Sequence, residues 1–171
     1  MAMQNLRELF VFKLNQTISY EKSMQKLTHE LASDAQMPQV KEALQRHEST
    51  LGTQISHLEE CVSKLGGQVS TVENYTIEGM LKEVGEFRRQ NPSVEAFDLY
   101  RLGTLIKLGF GKVGDYRVLA WYGRTLGEQS CVNIIEGDLK EIEDNAKKMV
   151  DTLGQVAQQW GGGRGPSIGM R

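Results

Sequence analysis

Apolar residues recur at alternating steps of four and three along most of this chain, which is the spacing of one face of an α-helix. The pattern predicts a first helix from Leu6 to about Leu31 and a second from about Pro38 to Leu65. The first helix carries Glu21 within its apolar face. Because a buried ionised acid needs a partner or must shift its pKa, Glu21 is the first residue that suggests a site.

The apolar face of the second helix is interrupted by two polar residues, His47 and Gln54, two turns apart. A histidine in such a face either forms hydrogen bonds within the core or serves as a ligand, and both interpretations stay open. Gly66 and Gly67 predict the end of this helix, because a left-handed C-terminal residue favours glycine.

Three more helices follow by the same criteria. The Ser70–Glu73 segment has capping-box spacing and predicts the start of a shorter helix that ends near Arg89. A fourth helix is predicted from about Ser93 to Leu126, and a fifth from a Ser130 cap to about Trp160. The predicted buried face of the fourth helix comprises Phe97, Leu105, Ile106, Phe110, Val113, Trp121 and Leu126.

Several glycines lie within the predicted fourth helix, although each lowers helix propensity by about 1 kcal/mol relative to alanine. They are Gly103, Gly109, Gly111 and Gly114. Either a neighbouring helix approaches closely at these positions, or the helix has a bulge or break between Gly109 and Gly114.

Together these elements predict an all-α fold: a ferritin-like four-helix bundle with an additional shorter helix in the crossover between its second and third long helices. We expect the bundle to occupy residues 1–160. Residues 161–171 are rich in glycine and poor in apolar side chains, and we expect them to form a flexible tail.

Composition narrows the class of function. A net charge of −2 over 171 residues gives no general attraction to nucleic acid or to an anionic membrane, and no apolar run is long enough to insert into a bilayer. The N-terminus lacks the pattern of a secretory signal, and Cys61 and Cys131 lack metal-ligand spacing. We therefore expect a cytoplasmic protein with two reduced thiols, a disulfide being the alternative.

Four segments share their order and spacing with a known family. They are Leu6–Lys22, with its acid followed by lysine, Leu44–Glu59, with its His47 and Gln54, Ile77–Glu83 and Val113–Leu126. In this order they resemble the ferritin-like bacterial stress proteins typified by YciF and YciE. The resemblance covers about residues 6–155 and implies a ferritin-like fold.

The resemblance also implies a di-metal carboxylate centre in the bundle core, built from acids and histidines on facing helices. At the family's remaining acidic positions this chain has residues that cannot supply a carboxylate: Thr50, Gly114, Arg117, Ile142 and Ala146. Glu21 remains, with His47 on the next helix. One carboxylate and one histidine cannot neutralise two divalent cations, so we expect no metal and no other cofactor.

Arg117 is the informative replacement, because it sets a positive charge where the resemblance implies a bridging carboxylate. Our hypothesis is that Arg117 pairs with Glu21 across the bundle, so that a protein cation stands in for the metal. In the alternative, helix rotation or a bulge turns Arg117 to solvent and leaves Glu21 with Gln54, His47 or water.

Two functions follow from this comparison. The first is a non-catalytic, metal-free bundle that acts as a structural, adaptor or assembly subunit, with a protein partner or as a homo-oligomer. The alternative is a metal-dependent ferritin-like oxidase or peroxide-stress protein with a rearranged site of Glu21, His47, Asp115 and Glu141.

The C-terminal tail is a candidate for docking a partner. Its end resembles the glycine-linked peptides that send ferritin-like cargo into bacterial protein shells, and the alternative is a plain disordered end. The docking candidates are Ser167, Ile168, Gly169, Met170 and Arg171.

Overall fold

The computed structural model describes residues 3–162 and contains five α-helices within that range. They are α1 (Leu6–Asp34), α2 (Pro38–Lys64), α3 (Tyr75–Arg88), α4 (Val94–Leu126) and α5 (Gln129–Gly162). No strand occurs in this part of the chain. The predicted all-α class is confirmed.

The four long helices form the bundle, and the segment that contains α3 connects the end of α2 to the start of α4 at the opposite end of the bundle. Arg7, at the start of α1, pairs with Glu128 in the turn between α4 and α5. Arg88, at the end of α3, pairs with Asp34 at the end of α1. Since α4 begins where α1 ends, α1 and α4 are antiparallel. This is the topology of a bundle with one long crossover.

The capping box predicted at Ser70–Glu73 and the helix cap predicted at Ser130 are both wrong. Helix α3 begins five residues after Ser70, and its cap is Asn74, whose side chain accepts from the amides of Thr76 and Ile77. The amide of Ser70 instead donates to the side chain of Asn15 on α1, which holds this segment out of a helix. Ser130 lies inside α5, where its hydroxyl accepts from Lys64.

Helix α4 is continuous, which excludes a break between Gly109 and Gly114, one of the two explanations considered for its glycines. Close approach explains Gly109, where an added Cβ would lie 3.4 Å from Cε of Met149 on α5. Nothing lies within 4 Å of such an atom at Gly103 or Gly114. The structure offers no packing reason for these two glycines.

The predicted buried face of α4 is wrong at two of its three aromatic residues. Phe110 is 55% exposed and Trp121 is 65% exposed. The face that meets the bundle instead includes Asp98, Arg101 and Lys112. These three buried charges and two exposed aromatic residues depart from the usual hydrophobic pattern of an amphipathic helix, although most of the inner face is apolar.

The apolar core has two parts. One lies towards the end of the bundle where α4 begins and contains Met24, Leu44, Leu102, Leu105 and Met149, among others. The other lies towards the opposite end and contains Phe10, Leu14, Leu58, Leu119 and Ile135, among others. Glu21, Gln54 and Lys112 lie between the two parts, and all three are buried.

Candidate functional site

The centre of the bundle holds a buried ion pair between α1 and α4. Nζ of Lys112 lies 2.7 Å from Oε2 of Glu21, and the side chains are 1% and 0% exposed. Each residue is on the inner face of its helix, Glu21 three residues before Met24 and Lys112 four residues before Tyr116. Steps of three and four keep residues on one face of a helix, so the two charges meet in the core.

Gln54 connects this pair to the other two long helices. Nζ of Lys112 donates to Oε1 of Gln54 at 2.5 Å, and Nε2 of Gln54 donates to Oε2 of Glu141 on α5 at 3.1 Å. The side-chain amide therefore accepts a hydrogen bond on one side and donates one on the other. We call Glu21, Gln54, Lys112 and the fully buried Tyr116 the Lys112 cluster.

Burial disfavours the charged forms of both Glu21 and Lys112. It raises the pKa of Glu21, while the ammonium of Lys112 and the hydroxyl of Tyr116 oppose that rise. It lowers the pKa of Lys112, while Glu21, then Asp138 and Glu141, oppose that fall. Each partner is thus the main favourable interaction of the other, which is the condition under which a buried ion pair persists.

Asp138, on α5, adds a further buried carboxylate near Lys112. Its Oδ1 lies 2.8 Å from Nδ1 of His57, whose side chain is partly exposed. Burial raises the pKa of Asp138, and the hydrogen bond to His57 opposes that rise. Lys112 therefore lies in the field of several acids: Glu21, Asp138 and Glu141.

His47 is buried, but it is outside the Lys112 cluster. Its Nε2 lies 3.2 Å from Sδ of Met24 on α1. Burial, followed by the charge of Lys112, lowers the pKa of His47 to about 3. The imidazole is therefore neutral at ordinary pH, and it packs as a core residue.

The hypothesis that Arg117 pairs with Glu21 is wrong. The Arg117 side chain is 64% exposed, and its Nη2 lies 2.7 Å from Oε1 of Glu143 on α5. A step of five residues turns a helix by about 140° away from the starting direction. Since Lys112 points inward, Arg117 points outward, and the buried cation is Lys112.

Asp115 and Glu141, the further acids of the enzyme hypothesis, do not converge on Glu21 and His47. Oδ1 of Asp115 lies 2.8 Å from Nζ of Lys13 at the partly exposed boundary of α1 and α4. Glu141 is exposed and reaches the cluster only through Gln54. Residues 167–171, the docking candidates, are outside the described residues.

The residues present do not fit a di-metal carboxylate centre. The position beside Glu21 is occupied by the ammonium of Lys112, a donor that cannot bind a cation. Nε2 of His47 faces the Met24 sulfur instead of Glu21. Within residues 3–162, no group of three or more His, Cys, Asp and Glu side chains is arranged to hold a metal ion.

A surface groove of about 600 Å³ lies between α1 and the segment that leads into α3. Its lining includes Lys22, Lys26, Val69 and Leu81, and it includes no member of the Lys112 cluster. This groove therefore gives a small molecule no route to the buried charges.

Sequence reasoning missed Lys112, Tyr116, His57 and Asp138 as members or neighbours of the site. For Lys112 and Tyr116 a signal existed in the steps of three and four through Leu105, Leu108, Lys112, Tyr116 and Leu119. A search for apolar spacing alone does not find this face of α4, because Lys112 is polar and interrupts the apolar series.

Comparison with known proteins identifies relatives along nearly the whole helical region. Residues 5–160 match the family described as "Domain of unknown function (DUF892)". Protein YciF of Escherichia coli (strain K12) is 21% identical over 152 residues, which cover 88% of this chain and 92% of YciF.

Solved structures give the same result for the fold. The E. coli stress protein YciF matches with a TM-score of 0.85 at 19% identity, over 92% of this chain and 99% of YciF. YcfI of Rhodopseudomonas palustris matches with a TM-score of 0.80 at 20% identity, over 85% of this chain and 93% of YcfI. The predicted ferritin-like bundle is confirmed.

Within residues 3–162, none of the helices combines the length and the apolar character that crossing a bilayer requires.

Proposed function

This chain belongs to the DUF892 family, and we propose that it acts as a non-catalytic structural subunit, an assembly or adaptor component whose core holds no metal. The ammonium of Lys112 takes the role that metal cations have in di-metal bundles: it neutralises the inward carboxylates and joins the helices. The protein thereby gains a cross-linked core and gives up the chemistry of an open metal site.

One observation carries the proposal: Nζ of Lys112 lies 2.7 Å from Oε2 of Glu21 at the centre of the bundle. A divalent cation at that position would lie beside a fixed positive charge and would lose Glu21 as a free ligand. Since metal affinity depends on charge and on deprotonated ligands, both effects oppose binding.

Metal analysis tests this proposal directly. The protein is produced with iron or manganese supplied, purified without chelator and measured by inductively coupled plasma mass spectrometry. We expect far less than one metal ion per chain. Two ions per chain in the unaltered protein would overturn the proposal.

A charge reversal supplies the matched comparison. Lys112→Glu removes the internal cation and places a second carboxylate beside Glu21, so we expect divalent metal to bind more tightly or to raise the melting temperature of this variant. Arg117→Glu makes the same change on the surface and serves as the control. Equal metal content in both variants would contradict the role given to Lys112.

The outward face of α4 supports the assembly part of the proposal. Phe110, Val118 and Trp121 are exposed along this face, with Gly114 between the aromatic residues. If two copies paired these helices antiparallel about a point between residues 115 and 116, each Phe110 would face Trp121 of the other copy. Such a contact is self-complementary, as a two-fold interface must be.

Charges beside this face are balanced. Arg117 pairs with Glu143, and Arg124 pairs with Glu136 and lies over the ring of Trp121, so each copy would present both signs among and around the apolar residues. A second copy can therefore approach without net repulsion, and polar rims around apolar centres are typical of protein interfaces.

The C-terminal tail is the second proposed contact of the adaptor. A pull-down with the full chain and with a chain lacking residues 161–171 tests it. We expect a partner that binds the full chain and is lost on truncation. Equal recovery by both chains would exclude the tail from docking.

A further inference from the structure

Two thiols face each other across the end of the bundle, away from the Lys112 cluster. Sγ of Cys61 donates to the carbonyl oxygen of Cys131 at 3.9 Å, and Sγ of Cys131 donates to the carbonyl oxygen of Cys61 at 3.8 Å. Both residues are buried, and both are free cysteines. This reciprocal contact joins α2 to α5.

We propose that Cys61 and Cys131 are a redox modification site, at which a hydroperoxide converts the two thiols into a disulfide that ties the end of α2 to the start of α5. This inference goes beyond the structural role proposed above and does not depend on it.

The contact between the two cysteines supports bond formation, because each side chain already lies against the other residue on the facing helix. A carbonyl oxygen lies about 2.4 Å from the Cα of its own residue, so each sulfur lies at most about 6.3 Å from the other cysteine's Cα. In the disulfide, the two Cα atoms would be about 4.4–6.8 Å apart. Rotation of the side chains from the carbonyl groups towards each other brings the sulfur atoms together.

Burial keeps the thiols unreactive in the closed bundle. It raises the pKa of Cys61 and of Cys131, so little thiolate is present, and the ammonium of Lys64 opposes the rise at both residues. The pair lies one turn before the end of α2, at Lys64, and in the first turn of α5, after Gln129. Fraying of these helix ends exposes the sulfurs, because local opening costs less than global unfolding.

The reaction balances in two steps. A thiolate attacks the hydroperoxide, the O–O bond breaks, and a sulfenic acid and water (or an alcohol) form. The second thiol then attacks the sulfenic sulfur, a sulfur–sulfur bond forms, and water leaves. Two thiols are oxidised by two electrons in total, and one hydroperoxide is reduced.

The test uses the full chain treated with hydrogen peroxide and then quenched. Intact mass spectrometry should show a loss of about 2 Da, the mass of two hydrogen atoms. Peptide mapping without reductant should recover one linked peptide pair containing Cys61 and Cys131. The melting temperature should rise by roughly 10 °C and return after reduction, since a bond closing a long loop restricts the unfolded chain.

Cys61→Ser and Cys131→Ser are the matched controls, and neither should lose 2 Da. The inference is overturned if the unaltered chain gains oxygen without the linked peptides, forms disulfides between chains only, or keeps both thiols after treatment. A melting temperature that falls or stays constant on linkage would overturn the locking effect. The peptide map needs no variant, so a control that fails to fold does not prevent the test.

Discussion

At the scale of single residues, the decisive feature is which of two basic side chains on α4 points inward. Lys112 and Arg117 are five positions apart, and only Lys112 shares a face with Tyr116 and the apolar core. Its ammonium has three donor hydrogens; it forms an ion pair with Glu21 and donates a hydrogen bond to Gln54. The buried charge of Lys112 is therefore stabilised by specific partners.

Replacing Lys112 by methionine should destabilise the protein by roughly 3–5 kcal/mol, because Glu21 would be left buried without its cation. We expect the melting temperature to fall by roughly 10 °C. Glu21→Gln in the same chain should restore much of the loss, since it removes the orphaned charge. Differential scanning calorimetry of the single and double variants measures this coupling.

Arg117→Met is the matched control for that experiment. It removes a basic side chain from the same helix, but its ion pair with Glu143 is exposed and should contribute less than about 1 kcal/mol. If Arg117→Met were as destabilising as Lys112→Met, the assignment of the internal cation would be incorrect.

His47 gives a prediction about pH. In the unfolded chain its imidazole takes up a proton near pH 6.5, whereas the folded protein keeps it neutral down to about pH 3. The stabilising contribution is complete above pH 6.5 and is lost as the pH falls towards 3. Between pH 6 and 4 the free energy of unfolding should decrease by about 1 kcal/mol per pH unit from this group.

Denaturant unfolding at several pH values measures this slope. His47→Gln should remove about 1 kcal/mol per pH unit from it, whatever the variant's stability at neutral pH. His29→Gln, at an exposed histidine of α1, is the control and should leave the slope unchanged. A slope that His47→Gln does not alter would mean that His47 is not buried in neutral form.

At the scale of elements, α4 stabilises a neighbouring helix through buried polar contacts that its pattern of apolar residues does not predict. Asp98 is fully buried, and its Oδ2 accepts from the amides of Gln36 and Met37 at 2.8 and 2.6 Å. The N-cap of α2, Met37, has no capping side chain of its own. A residue of α4 therefore caps α2, while Arg101 pairs with the same carboxylate.

Asp98→Ala should consequently weaken the start of α2 as well as its own helix. Removing the carboxylate leaves two amides and the buried Arg101 without their acceptor, so we expect a loss of roughly 3–5 kcal/mol. Hydrogen exchange in the first turn of α2 should accelerate more than exchange at its far end. Glu95→Ala, one turn earlier on α4, is the control, and equal acceleration in both variants would contradict the capping role.

At the scale of the whole molecule, the polar layer at Glu21, Gln54 and Lys112 divides the core, and the outer face of α4 leaves large aromatic side chains in solvent. Exposed apolar patches of this kind mark interaction surfaces more often than isolated apolar residues do. A second copy of the chain is the partner that the balanced rim and the Phe110–Trp121 spacing favour.

We therefore expect the protein to sediment at twice its chain mass of 19.2 kDa. Trp121→Glu should shift it to the monomer, because the variant would bury a charge against Phe110 of the other copy. Leu81→Glu changes a residue of α3 that is 42% exposed, in a groove lined by α1 and the segment around α3 and by no residue of α4, and should leave the dimer intact. Analytical ultracentrifugation measures the oligomeric state of the wild type and both variants. A wild-type monomer at micromolar concentration would contradict the pairing.

The sequence by itself determined the helices and their order. Three signals were enough: apolar residues spaced three and four apart over long stretches, the glycine at Gly66 that ends α2, and the proline that opens it. Each signal acts between residues that are close in the chain, so the sequence alone reveals it. It also determined that Glu21 is a buried acid, since that residue interrupts an otherwise apolar face.

Only the tertiary structure decided which cation meets Glu21, where α3 begins and which side of α4 is inside. Each outcome depends on a contact between residues far apart in the chain. Lys112 pairs with Glu21, the amide of Ser70 donates to Asn15, and Asp98 accepts from the amide of Met37. In the layer between the two apolar parts of the core, Glu21, Gln54 and Lys112 occupy positions that are usually apolar, so the hydrophobic period that guides sequence reasoning fails there. The physical reason is that a buried charge is stabilised by its partner across the bundle, and sequence spacing does not identify that partner.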